Sequence, residues 1–389
     1  MQRPYGDTAA NPQRTVPDWA AIRSQFPTTG KLTFLNSGMK ALLPKSVAEA
    51  MQEWIEDVYE SGGEKAFSMA EIEKTRAAVA ATFGAPADCI SLIKNTAEGI
   101  GIIAQGFPWQ ASDNVVISDI EHETNTFPWR YLKSRGVETR FAKPDEHGRV
   151  TLACYRPLVD SHTRVLALAW VAYGNGYRAD LGAVGAFCRQ RGIKLIVDGI
   201  QAVGVLATPI SELGVDALVA GGHKAQFSLT GAGFMYTAPD LRRMIMPPHV
   251  AKFSFRSNDR FQPELELAED GHRFEYGNPN FLGCFVQRRS AEFIRDIGLD
   301  HTEARVRALT TRLIEGALSR QIRVRTPIAW EERAGLVSFE FRTASEPIVA
   351  RLKKKRIIVS EKDGHVRAGV HFYNNEDDID RFLEAMTEL

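Results

Sequence analysis

The sequence predicts an α/β protein: a mostly parallel seven-stranded sheet in a large domain with helices on both faces, followed by a smaller α+β domain. Three observations predict it. Between residues 89 and 237, short apolar runs alternate with helical patterns. One of those runs is apolar up to Asp198, an acid at the carboxyl edge where open α/β sheets bind ligands. After Met246 the alternation stops, and a second mixture of helices and strands begins near residue 285.

The elements follow in order. Residues 1–30 are polar and Pro-bearing with no apolar stretch, which suits a loose N-terminal arm and not a signal peptide. The large domain is expected over 31–284. Val47, Met51, Trp54, Ile55 and Val58 recur at helical spacing from Ser46 to about Gly62, with Ser46 and Glu49 as a capping box after Pro44. A second helix runs from about Glu71 to Phe83 and stops at Gly84. The strand-like runs are 89–93, 115–118, 137–142, 164–172, 193–198, 216–220 and 233–237, with helices over 96–106, 127–135 and 181–191. Residues 247–271 lack any period and read as an irregular connection. The small domain, 285–389, opens with a helix over 285–318 broken near Gly298. Strands at 322–326 and 336–341, a helix near 347–355, strands at 357–360 and 366–370 and a helix over 377–389 complete it.

Composition narrows the function. Forty-eight Lys and Arg balance forty-eight Asp and Glu, so no general basic footprint points to nucleic acid or an anionic membrane. The longest apolar run, 165–173, is far short of the about 20 residues that span a bilayer. Cys89, Cys154, Cys188 and Cys284 form no C-x-x-C pair and no metal-ligand spacing, which suits free thiols in a reducing cytoplasm.

Three familiar signatures are near misses. Gly99-Ile100-Gly101-Ile102-Ile103-Ala104 has dinucleotide-site spacing, but its glycines lie inside a helix, not in the turn before it. His122-Glu123-Thr124-Asn125-Thr126 ends on Thr where a zinc protease needs His. Leu195-Ile196-Val197-Asp198 resembles an ATPase acidic strand, but no G-x-x-x-x-G-K-[ST] accompanies it.

Lys224 follows the next core run after Asp198, behind Gly221, Gly222 and His223. A Lys that can form a Schiff base and an acid that can hold a pyridine nitrogen protonated are the two groups pyridoxal phosphate chemistry needs. The two glycines would let backbone approach a bulky ring.

Six stretches in order make the pattern specific: Asn95-Thr96-Ala97-Glu98-Gly99, Glu121-His122, Asp198-Gly199-Ile200-Gln201-Ala202, Gly222-His223-Lys224, Arg273-Phe274-Glu275-Tyr276-Gly277-Asn278, and Val366-Arg367 before His371-Phe372-Tyr373-Asn374. With them the chain resembles a class V aminotransferase of the cysteine desulfurase-like and isopenicillin N epimerase-like group, from about Phe34 to the C-terminus. The resemblance implies the fold-type I architecture of pyridoxal phosphate (PLP) enzymes. It implies Lys224 as the Schiff-base lysine and proton carrier, Asp198 as the partner of the pyridine nitrogen and His122 as the residue stacked on the ring. Thr96, Ala97 and His223 would hold the phosphate, and Gln201 would donate to the ring oxygen. Gly277 and Asn278 would reach a neighbouring subunit's phosphate, which implies a homodimer with shared sites. Arg367 would clamp the substrate α-carboxylate, with Asn36, Ser37, Tyr173 and the 247–271 connection as further substrate contacts.

The departures matter too. The stretch Ser360 to His365 is short and has no Cys, where cysteine desulfurases carry their nucleophile. Tyr173 and Asn278 stand where the family has Asn and Thr. The expected function is therefore a PLP-dependent reaction on a small α-amino acid, first as an aminotransferase. A C–S lyase without a catalytic Cys, an epimerase and a decarboxylase are the alternatives. Lys224 speaks against a non-catalytic scaffold, and the helical glycines against a nicotinamide oxidoreductase. No metal, nucleic acid or membrane is expected.

Overall fold

The computed structural model describes residues 16–388. Its strands in chain order are β1 (Thr33–Phe34), β2 (Ile90–Ile93), β3 (Asn114–Ser118), β4 (Glu138–Ala142), β5 (Thr163–Ala169), β6 (Lys194–Asp198), β7 (Ala217–Gly221), β8 (Gly233–Thr237), β9 (Arg323–Val324), β10 (Leu336–Glu340), β11 (Ile357–Ile358), β12 (Ser360–Lys362) and β13 (His365–Gly369).

Strands β2 to β8 form one seven-stranded sheet in the order β2-β8-β7-β6-β5-β3-β4. Pairs from β7 to β4 are parallel, and β8 runs antiparallel to both β7 and β2. All seven expected strands form. Parallel strands covered on both faces read as unbroken apolar runs, and Leu195, Ile196 and Val197 are completely buried. One expected strand is too long: β5 stops at Ala169. Beyond it Ala172 and Tyr177 pair their backbones and enclose a short loop that carries Tyr173.

A second, antiparallel sheet has the order β12-β13-β10-β9. Its cluster of buried apolar side chains combines Leu35 with residues between Leu309 and Met386. The chain begins on this side of the molecule. β1 pairs with β11, and Asn36 bridges to Gly369. Residues 33–36, expected in the large domain, are thus hydrogen-bonded to the small one. Of the expected arm, residues 1–15 lie outside the described residues. The rest is bound: Trp19–Ser24 is a helix, and Arg23 meets Asp378 at 2.7 Å.

The helices stand close to expectation, with one correction. The helix Lys45–Ser61 is capped by Pro44, not by a Ser46–Glu49 box, and the Ser46 hydroxyl is buried without a partner. The carbonyl of Gln25 accepts from the Lys45 N–H instead, which satisfies a first-turn donor through the chain's own fold. The long C-terminal helix divides into Phe281–Ile297 and Leu299–Ser319 at Gly298, as the spacing predicts. Residues 247–270 hold no helix or strand, only a bridge between Phe255 and Leu267.

Candidate active site

Five strands of the large sheet point their carboxyl ends at one cavity of about 360 Å³, a size typical of cofactor pockets. Asp198 is the last residue of β6. Lys224 lies three residues beyond β7, and Thr96 opens the 11-residue helix that follows β2. His122 and Tyr173 come from the segments after β3 and β5. Arg367 arrives from β13 in the other sheet. All six line the cavity.

Burial shifts the central pair in opposite directions. It lowers the Lys224 ammonium to about 8 against the pull of Asp198, and Arg367 and Lys362 add to the lowering. Burial raises the Asp198 carboxyl above its ordinary range, opposed by the Ile200 N–H and by Lys224. The Ile200 N–H donates to Oδ1 at 3.0 Å, while Oδ2 has no donor among the described residues. The Lys224 amine likewise makes no hydrogen bond or ion pair among them. Both groups are left for something in the cavity.

The helix Thr96–Gly106 presents its N-terminus to the same space. Asn95 caps the Glu98 N–H at 2.9 Å, so the N–H groups of Thr96 and Ala97 remain free for an anion. The Thr96 hydroxyl is used differently: it accepts from the Gly221 N–H at 3.0 Å. This ties the helix to the end of β7. His223 lines the cavity, and burial and then Lys224 lower its ring's proton affinity.

Burial also lowers that of His122, with Lys224 and Lys362 acting in the same sense and Glu123 against it. Its Nδ1 accepts from the Thr124 N–H at 3.2 Å, and its ring meets Tyr173 edge-on at 5.1 Å between centroids. The Tyr173 hydroxyl donates to Asp363 at 3.2 Å, and burial with Asp363 raises it to about 12. Gln201 lines the cavity but already gives one amide N–H to the Gly38 carbonyl at 2.9 Å; its second N–H is available to a ligand. Arg367 is 2% exposed. It donates through Nε to the Ser360 hydroxyl at 3.2 Å and through Nη1 to the Tyr173 carbonyl. Its Nη2 has no partner among the described residues and is free for a carboxylate.

Several expected residues stand elsewhere. Asn36 is buried under the Ser37-Gly38-Met39 turn with its Oδ1 unpartnered, and neither it nor Ser37 lines the cavity. Gly277 and Asn278 line a separate, smaller cavity with Tyr276 and Lys94. No residue of 247–271 reaches the Lys224 cavity. Nor do Gly221 and Gly222 make room for a ring. A Cβ on Gly222 would fall 2.8 Å from the Ser228 Cβ, and one on Gly221 would fall 3.3 Å from Ile200, so their smallness serves internal packing.

Two residues had no role assigned from the sequence. Glu121 is half-buried, and desolvation above all, with Asp198, raises its carboxyl to about 8. It accepts from the Ala169 N–H at 3.0 Å and from Asn125 at 2.8 Å, which fixes the floor of the cavity at the end of β5. Lys362 lines the cavity from β12. The two-residue alternation of Ser360 and Lys362 ahead of Arg367 was the available signal.

Comparison with known proteins agrees with this arrangement. The family model "Aminotransferase class-V" matches residues 33–382. A protein of Pyrococcus abyssi named "Probable cysteine desulfurase" is 27% identical over 391 residues, which cover 95% of this chain and 96% of that one. A cysteine desulfurase of Serratia proteamaculans is 26% identical over 398 residues, covering 95% and 97%. The apo structure of a cysteine desulfurase from Thermococcus onnurineus NA1 has the same fold, with a TM-score of 0.86 at 24% identity over 97% of this chain and 98% of that one.

Proposed function

This chain belongs to the class V aminotransferase family, a PLP-dependent one, and on that premise we propose that it transaminates a small α-amino acid, with Lys224, Asp198 and Arg367 as the residues that carry the reaction. The observation that carries the reading is that these three groups meet in one cavity, each with a hydrogen-bonding position left open.

The residues present fit the cofactor. Thr96 and Ala97 offer two free N–H groups at a helix N-terminus for its phosphate, with His223 beside them. The unpaired Oδ2 of Asp198 suits a protonated ring nitrogen, and a cation seated there would return the raised carboxyl to its ionised form. Bound PLP supplies a carbonyl that condenses with amines and a ring that withdraws electrons from the substrate α-carbon.

The chain's own residues do the rest. An amine lowered to about 8 is partly unprotonated near neutral pH, so Lys224 can form the covalent link and then take and return a proton at the α-carbon. Arg367 orients the substrate through its carboxylate, by the open Nη2 of a fork whose other two nitrogens are already fixed. His122, whose ring resists protonation, would cover one face of the cofactor and shield it from water. Epimerisation would need a base on each face of the α-carbon, whereas transamination needs one, and Lys224 is that base. Cys89, Cys188 and Cys284 are buried and Cys154 is half-buried, and none lines the cavity.

C–S cleavage by β-elimination is the second reading, favoured by the names of the relatives. It would proceed without a protein-bound persulfide, since the hairpin from Ser360 to His365 has no thiol. A product assay over a panel of amino acids separates the two. Transamination requires a 2-oxo acid acceptor and returns a new amino acid. Ammonia and sulfide released from cysteine without an acceptor would replace it with the lyase reading. We further propose a cytoplasmic homodimer with Gly277 and Asn278 serving the partner's phosphate. No helix among the described residues is long and apolar enough to cross a membrane.

A further inference from the structure

One cation lining the cavity has no partner among the groups assigned above: Lys362. Lys224, Arg367 and Lys362 line the cavity beside one carboxylate, Asp198. Asp198 lies at the ring-nitrogen end and faces Lys224. Lys362 is half-buried, yet its ammonium makes no hydrogen bond or ion pair among the described residues. Neither nearby acid pairs with it, although the charge of Asp363 also acts on Arg367. Asp363 accepts from the Tyr173 hydroxyl, and Glu123 stands 3.4 Å from the His122 Nδ1.

Hairpin geometry sets where this extra cation stands. In β12 and β13, Ser360 pairs with Arg367 and Lys362 with His365. Side chains alternate along a strand, so Ser360 and Lys362 share one face with their partners Arg367 and His365. Lys362 is therefore the diagonal neighbour of Arg367 on the face that closes the cavity, with β-carbons about 7–8 Å apart for such a pair. The cofactor phosphate has its own donors on the helix Thr96–Gly106, on a different element.

We infer that Lys362 selects the substrate: with Arg367 on the α-carboxylate, it binds a second acidic group on the substrate side chain, so the amino acid is a dicarboxylic one or an equivalent acid. This rests on the proposed PLP reading of the cavity and adds the substrate class to it.

The test uses the PLP-loaded protein. Calorimetry should show succinate binding on the order of tenfold or more tighter than butyrate, as one added half-buried ion pair allows. In Lys362→Met that margin should vanish while butyrate binding and cofactor affinity stay unchanged, and Lys362→Arg should restore it. In turnover, the ratio of kcat/KM for glutamate over glutamine should fall by a similar factor in Lys362→Met. Equal binding of succinate and butyrate to the parent overturns the inference without any variant. So does an unchanged margin in Lys362→Met, and so does weakened cofactor binding there, which would assign Lys362 to the phosphate. Failure of the wider reading looks different: Lys224 would take up no cofactor at all, whereas here the cofactor loads and neutral amino acids react without regard to Lys362.

Discussion

Burial sets the chemistry of the two central residues, because it disfavours the charged form of each. Lys224 is lowered to about 8 and Asp198 is raised, and both retain an unpaired atom facing the cavity. Replacing Asp198 with Ala removes the acid but little packing at the strand end. Turnover should drop by about 100-fold or more, corresponding to about 3 kcal/mol of transition-state stabilisation, with KM changed far less. Steady-state kinetics on cofactor-saturated protein checks this, and a near-normal kcat would remove Asp198 from the mechanism. Asp198 and Lys224 were legible in the sequence because one ends a fully apolar run and the other closely follows the next. Glu121 was not. Its carboxyl reaches about 8 through burial and Asp198, opposed by hydrogen bonds from Asn125 four residues on and from Ala169, and only the Ala169 and Asp198 contacts are remote in sequence.

Helix placement governs the phosphate end of the cavity. Gly99 lets the helix Thr96–Gly106 lie directly on β7: a Cβ there would fall 2.4 Å from Val219 and 2.9 Å from Ile93. The glycine spacing that looked like a dinucleotide signature is thus a packing requirement at Gly99, whereas Gly101 has nothing within 4 Å of its missing Cβ. Gly99→Ala should cost about 1–3 kcal/mol by overpacking. Because the helix must retreat, cofactor affinity should fall with it. Melting of the apo protein and cofactor titration measure the two effects, and an unchanged melting temperature would contradict the packing role.

A second element depends on pH. His272, in the turn Gly271–Phe274, contacts Asp270 at 2.9 Å and Glu73 at 3.0 Å, and those two carboxylates raise its ring to about 9 against burial and Arg76. A raised histidine contributes its full stability below its ordinary 6.5 and loses it as pH rises through about 9. The melting temperature should therefore fall between pH 6.5 and 9.5, and less so in His272→Gln. Identical pH profiles for the two proteins would refute the assignment. Elements of this kind were only partly legible. Long buried strands and the Gly298 break declare themselves locally, whereas the two-residue pairing of β1 with β11 joins positions over 300 residues apart and leaves no periodic trace.

At the scale of the molecule, two sheets meet over one cavity, and a second copy is proposed to complete it. Gly277 and Asn278 line their own small cavity, apart from Lys224. Mixing Lys224→Ala subunits with Asn278→Ala subunits gives hybrid dimers in which one site carries both lesions and the other neither. Activity should rise on mixing, provided Asn278→Ala alone is impaired. A fully active monomer by light scattering would end the shared-site proposal. What joins the scales is the covalent link at Lys224, and borohydride reduction of the PLP-loaded protein followed by peptide mapping tests it most directly. A pyridoxyl label on Lys224, lost in Lys224→Ala, is the expected result. A label on another lysine, or none on protein that has been offered the cofactor, would contradict it.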